Sequence, residues 1–341
     1  MTAYPTATAT FECGDIRLRS GMTLPKARIV YKTFGTLSAA RDNVIVYPTS
    51  YGAHHTDIEW LVAPGKALDP TRHFIVIPNM FTNGLSASPS NATPPYDKGR
   101  FPRITVYDNV VQQRRLLRET FGVERVEMVY GWSMGAQQAY HWATMAGADV
   151  KRIVVNCGSA RTSPHNVVFL EGVKAAMTAD PNWTGDHFAA KPERGLRAMG
   201  RVYAGWALSQ TFYRERMWQG LGYGSLEDFL VGSWEGNFLR RDGDDLLAQL
   251  WTWQHADIAD DPRFGGDLAA ALASIEAKTL LLPSATDLYF QTADNRLELP
   301  HLRDARLLEI PSMWGHRAGN PWACPADAAF LDAAVKELLA A

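Results

Sequence analysis

Five runs of β-branched and aliphatic residues recur along this chain, each too short for a helix and too uniformly apolar to have a wet face. They are "NVIVYPTS" (43–50), "HFIVIPN" (73–79), "RVEMVYG" (125–131), "KRIVVNCGSA" (151–160) and "KTLLLPSATD" (278–287). A strand with one solvated face alternates apolar and polar residues, whereas a continuous run must be covered on both sides. These runs therefore predict buried strands of a parallel sheet. Helical patterns separate them. In "ITVYDNVVQQRRLLRETFG" (104–122), Val106, Val110, Leu117 and Phe121 fall at helical spacing, and Gly122 is a stop signal. Ala136 to Met145 and "PADAAFLDAAVKELLAA" (325–341) also read as helices. "ARLLEIPSMWGH" (305–316) is a further strand, and "DIRLRSGMTLPKARIVYKTFG" (15–35) reads as an antiparallel pair around Ser20-Gly21. The expectation is an α/β architecture with about eight strands, mostly parallel.

The stretch 161–270 breaks this alternation. It is rich in Trp, Tyr, Arg and Gly, with helical pattern and little strand pattern. It is expected to be a helical cap inserted between two strands, leaving a core domain of residues 1–160 and 271–341. A chain of 341 residues is long enough for that arrangement. The cap aromatics Trp206, Tyr213, Trp218, Trp251 and Trp253 are expected in a core or interface rather than on a ligand.

Composition excludes several classes of function. The net charge is −2 with no basic block, which leaves no footprint for nucleic acid or an anionic membrane. Cys13, Cys157 and Cys324 have no C-x-x-C spacing, so neither a disulfide framework nor a zinc site is expected. The start "MTAYPTATATFECGD" lacks the basic and apolar regions of a signal peptide, and no apolar run is long enough to span a bilayer. A cytoplasmic protein is expected, in which the sequons at Asn91 and Asn182 carry no weight.

The chemistry concentrates at "VYGWSMGAQQAYHWA" (129–143), where Ser133 stands between Gly131 and Gly135. A serine hydroxyl is a poor nucleophile unless a base abuts it and its oxygen is exposed. A nucleophile elbow exposes it on a sharp strand-to-helix turn, and glycines two before and two after let strand and helix approach closely. The alternative reading is an ordinary corner whose serine caps the helix. The base should be a histidine oriented by a carboxylate, in the chain order Ser…Asp…His. His316 follows the strand "ARLLEIP", at the strand edge where open α/β sheets place their sites. His301 precedes that strand and lies at the opposite edge. Asp287 follows "LLLPSAT", with Asp294 as the reserve acid. An oxyanion hole needs two N–H donors. One is expected from Met134, and the other from Ser50 or Tyr51 in the loop "TSYGAHH". His54, His55 and Asp57 lack a known metal-ligand pattern, so no metal is expected, although His54 could line the mouth of the site. The loop "NMFTNGLSASPSN" (79–91) is small and polar enough to be flexible, and it lacks the ending of a phosphate loop.

At these residues the chain resembles the homoserine O-acetyltransferase family of the α/β-hydrolase superfamily. The likeness runs through "PGKALDPTRHFIVIPNM", "FPRITVYDNVVQQRRLL", "GWSMGAQQAYHWA", "ADPNW", "RDGDDLLAQLWTWQHAD", "SATDLYF" and "WGHRAGNP". It implies an α/β-hydrolase fold, an acyl-enzyme on Ser133, His316 and Asp287 as base and orienter, Ser50 at the oxyanion position, and a homodimer through the cap. The departures bear on substrate. Trp132 and Ala136 replace two glycines of the family's serine motif. Arg317 stands where the family has the aspartate that holds the homoserine ammonium, and like charges at close range repel. Arg201, with Arg197 and Arg194 nearby, matches the family's carboxylate-binding arginine. Arg201, Arg317, Tyr51 and Trp132 are thus the candidate substrate contacts, and Arg317 is equally readable as half of a structural ion pair. The expected substrate is a small carboxylate-bearing ester without a free α-amine. Hydrolysis is favoured over acyl transfer, in which an acyl-CoA would be a co-substrate and no other cofactor takes part. A non-catalytic small-molecule binder is the reading from another class.

Overall fold

The apolar runs become strands, and the alternation of their side chains explains why they had to be apolar throughout. The structure, a computed structural model, describes residues 4–341; residues 1–3 of the expected core lie outside the described residues. The strands are β1 (Thr6–Arg17), β2 (Thr23–Phe34), β3 (Val44–Val46), β4 (Phe74–Pro78), β5 (Met128–Trp132), β6 (Arg152–Asn156), β7 (Lys278–Leu282) and β8 (Ala305–Leu307). They form one sheet in the order β1-β2-β4-β3-β5-β6-β7-β8. β1 and β2 pair antiparallel, β2 joins β4 antiparallel, and every pairing from β4 to β8 is parallel. This is the α/β-hydrolase fold. Val44, Val46, Val76, Val129, Ile153, Val155 and Leu281 point to one face of the sheet. There they meet the helices α1 (Val106–Phe121) and α2 (Met134–Ala146). Ile45, Ile75, Ile77, Tyr130, Val154, Leu280 and Leu282 point to the other, against Leu331, Val335 and Leu338 of the C-terminal helix Pro325–Ala340.

The helix boundaries follow local chemistry. Thr105 caps α1 by accepting from the Asp108 N–H, and the Asp108 carboxylate accepts from the Thr105 N–H. Gly122 ends α1 at φ 63°, in the left-handed region. Between β6 and β7 the described chain contributes no strand to the sheet. It carries α3 (Pro164–Thr178), α4 (Glu193–Ala207), the helix Gly243–Gln254 and the helical stretch Leu226–Leu239. The middle of that last stretch, Leu230–Glu235, is wound as a π-helix. Phe169, Leu196, Tyr203, Phe212, Trp218 and Trp253 of this segment pack with Met134 at the start of α2 and with Tyr289 and Phe290 in the loop after β7.

Three expectations are corrected. β1 begins at Thr6, well before the apolar pattern, because it is an edge strand whose threonines and alanines are mostly exposed. β8 covers only three residues of the run 305–316, and the rest leaves the ladder to carry a loop. Residues 79–91 are not a loose loop. Asn79, Thr82, Asn83, Ser86 and Ser88 are buried, and their side chains bond to main-chain groups. Small polar side chains replace a secondary-structure ladder here, which composition alone does not distinguish from mobility.

Two measurements check this account. A Cβ at Gly131 would lie 2.1 Å from the Gly135 carbonyl oxygen. Gly131→Ala should therefore destabilise the protein by on the order of 3 kcal/mol in urea titration, since backbone must move. Glu298 is buried and accepts from Tyr140, Asn295 and the Ala160 N–H; burial pushes its carboxyl up from 4.5 to about 7. A raised carboxyl favours the fold at low pH and loses that contribution as pH rises through about 7. The stability of wild type relative to Glu298→Gln should fall as pH rises from 4.5 to about 7, read as the difference in thermal midpoints.

Candidate active site

Ser133 stands at the N-cap position of α2 without a side-chain capping hydrogen bond, at φ 59°, ψ −127°, a conformation rare for a residue with a side chain. Close approach on both sides maintains it. A Cβ on Gly135 would lie 2.8 Å from the Pro48 carbonyl oxygen, and one on Gly158 would lie 2.4 Å from the Ala136 Cβ. Gly158 thus makes room for the methyl group at position 136. The Ser50 hydroxyl donates to the Trp132 carbonyl, which ties the loop after β3 to the residue before the serine. The Tyr51 ring stacks on Tyr203 at 6.0 Å, and its hydroxyl donates to the Leu246 carbonyl at 3.2 Å.

His316 arrives in a short 3₁₀ turn after β8. Its Nδ1 lies 2.6 Å from Asp287 Oδ2, and both side chains are buried. The other Asp287 oxygen accepts from the N–H groups of Tyr289 and Phe290, each at 3.1 Å. A carboxylate held this way accepts a hydrogen bond from Nδ1–H and leaves Nε2 as the basic nitrogen. The acid and histidine loops are tied together. Thr286 Oγ1 donates to the Ser312 carbonyl at 2.8 Å and accepts from the Gly315 N–H at 3.0 Å. Aromatic rings enclose the imidazole: Trp132 at 5.3 Å, Phe290 at 5.6 Å and Tyr289 at 4.4 Å. Ser133 and His316 line one cavity of about 260 Å³, without a direct hydrogen bond between them. Such contacts commonly tighten only when substrate is bound.

A nucleophile elbow, an acid and a base on one parallel sheet invite comparison with known proteins. No protein-family model matches the chain. It is 32% identical over 306 residues to the ethyl acetate hydrolase of Pseudomonas veronii, covering 89% of this chain and 87% of that protein. It is 31% identical over 339 residues to the homoserine O-succinyltransferase of Methylibium petroleiphilum, covering 88% and 86%. The solved structure of an acetylester hydrolase from Corynebacterium glutamicum superimposes with a TM-score of 0.94 at 32% identity, over 99% of this chain and 96% of that one. The chain belongs to the homoserine O-acyltransferase-like family of α/β-hydrolases. It is an enzyme of that type.

Against this family background, the two candidate arginines separate. Arg201, expected to contact substrate, does not line the cavity. Its guanidinium is committed to Glu235 at 2.6 Å and to Glu227, while Arg197 holds the other Glu235 oxygen at 2.7 Å. Arg194 is exposed on the same helix. Arg317 does line the cavity and makes no ion pair among the described residues. Its guanidinium lies over the Trp234 ring at 5.0 Å. Tyr51 and Trp132 line the cavity as well. His301 is exposed. Asp294 lies on the helix Thr292–Glu298, its carboxyl bonded by Ser163 and pushed up by burial.

His54 borders a neighbouring groove instead of this cavity, its Nε2 2.8 Å from the Asn83 carbonyl. His55 Nδ1 meets Asn79, and Asp57 pairs with Arg241. Cys157, Asp287 and His316 offer ligand atoms within 4.8 Å of one another, but the histidine nitrogen is bonded to the aspartate, and burial pushes the thiol well up.

Sequence reasoning missed Tyr203, Trp234, Phe238 and Tyr289, all of which line the cavity. Tyr289 had a signal, two residues after the acid. Trp234 had none, because the π-helix that turns it inward has no readable period. Trp206, Tyr213, Trp218, Trp251 and Trp253 do not line the cavity.

Asp287→Asn should leave the fold intact and lower ester turnover by about 10⁴, the size of the same change in the serine-protease triad. Asp294→Asn should stay within a few-fold of wild type. Parallel kinetics on both variants distinguish the two acids.

Proposed function

We propose that the chain is a serine esterase that cleaves small esters through an acyl-enzyme on Ser133. The observation that carries the reading is the strained serine facing the same cavity as an imidazole bonded to a buried carboxylate. Ser133 Oγ attacks the ester carbonyl while His316 Nε2 takes its proton. The developing oxyanion is received by the Met134 N–H, at the positive end of α2, and by an N–H from Ser50 or Tyr51. His316 then protonates the departing alkoxide. It next removes a proton from water, which attacks the acyl group and frees the serine. The Asp287 carboxylate holds the ring and stabilises the imidazolium, as do the surrounding aromatic faces. No metal or organic cofactor enters these steps. The small cavity suits a short acyl group.

Acyl transfer uses the same triad with an alcohol in place of water and an acyl-CoA as co-substrate. Arg317 argues against homoserine as that alcohol, since the position cannot hold an ammonium. No helix among the described residues is long and apolar enough to cross a membrane. We propose that the enzyme works in the cytoplasm, where unpaired Cys13, Cys157 and Cys324 stay reduced. A homodimer through residues 161–270 is favoured by exposed Val168, Leu226 and Val231 on that segment.

A fluorophosphonate probe should label the wild-type protein stoichiometrically, with the adduct on Ser133, and should fail to label Ser133→Ala. Unlabelled wild type would indicate a binder instead of an enzyme. Acetyl-CoA consumption that depends on an added alcohol would favour transfer over hydrolysis.

A further inference from the structure

We propose that Arg317 receives a carboxylate carried by the ester substrate, so that the enzyme prefers anionic esters over their neutral counterparts. The inference rests on the esterase reading above and names the substrate class of that same site.

Arg317 directly follows the base on the same 3₁₀ turn, and it lines the same cavity as Ser133 and His316. Other arginines of this region are satisfied by protein carboxylates. Arg201 and Arg197 share Glu235, and Arg241 holds Asp57 at 2.5 Å while donating to the Gly52 carbonyl. Arg317 makes neither an ion pair nor a side-chain hydrogen bond among the described residues. Its guanidinium lies over the face of Trp234. Tyr289, Tyr203, Asp57 and Tyr213 favour its charged form. Burial lowers its affinity for its proton, but a guanidinium stays charged in proteins. Arg317 is half-buried and lines the cavity without a carboxylate partner, so a ligand anion would gain a charge-assisted contact there.

The rest of the cavity has the same sign. Arg240, Arg241 and Arg317 line it against one acid, Asp57, which both Arg240 and Arg241 already approach. The site therefore repels an ammonium and attracts an anion. The planar arginine fork suits a two-point carboxylate contact. The carboxylate can sit on the acyl half, as in a dicarboxylic acid monoester, or on the alcohol half, as in an O-acyl hydroxy acid. Both present the same chemistry to Arg317.

Matched ester pairs test the idea. Monomethyl succinate against methyl valerate places the charge on the acyl half, and acetoxyacetate against propyl acetate places it on the alcohol half. Wild type should show a kcat/KM ratio of about tenfold or more for the anionic member in one of the two pairs. Arg317→Gln should collapse that ratio, Arg317→Lys should restore part of it, and Arg201→Gln should keep it. The ratio should also fall with added salt. Wild type that disfavours the anion in both pairs, or an unchanged ratio in Arg317→Gln, would overturn the proposal. If a fluorophosphonate still labels Ser133 in that case, the esterase reading stands and only the anion preference fails. No label and no hydrolysis of any of the four esters would remove both.

Discussion

The approach of β5 to α2 is the constraint on which the site depends. No side-chain carbon fits at Gly131, against Gly135 across the turn, or at Gly135, against Pro48, and Ser133 is left in a backbone conformation it would not choose alone. A conformation of that kind persists only where its surroundings over-determine it. Here they do. The preceding strand is locked between β3 and β6, α2 is buried along most of its length, and the Ser50 hydroxyl fastens the next loop to the Trp132 carbonyl. Strain at one residue is therefore supported by the packing of the whole sheet.

The other two members of the site come from the far side of that sheet. β7 and β8 lie beside β6 with parallel register, so their loops emerge at the same edge as the elbow. Thr286 links those loops to each other, and the rings of Trp132, Phe290 and Tyr289 fix the imidazole plane. Trp132 stands where the family's serine motif has glycine, and it serves as one wall of the histidine's slot. Its bulk is accommodated because residue 319 is glycine, where a Cβ would approach the indole to 2.4 Å.

Much of this was legible in the chain. Runs such as "FIVIP" identified strands because a two-sided burial requirement leaves few residue types available. Ser133, Asp287 and His316 could be picked out because each follows a strand, and strand ends are where a parallel sheet exposes its loops. The arginines were harder. Arg201 and Arg317 look alike as letters, and only the positions of Glu227 and Glu235 in space show that one is neutralised and the other is not. The loop 79–91 misled for a related reason: Asn79 and Asn83 read as solvated, yet their amides bond to buried carbonyl groups. Pairing over long sequence separations is where local pattern runs out.

The central claim is that the strained hydroxyl carries the acyl group in turnover. Rapid-quench intact-mass spectrometry with p-nitrophenyl acetate tests it most directly. The account predicts an acetyl adduct that maps to Ser133, forms within the first turnover and decays at the steady-state rate. Hydrolysis of the ester with no adduct at Ser133, or with the adduct on another residue, would contradict it.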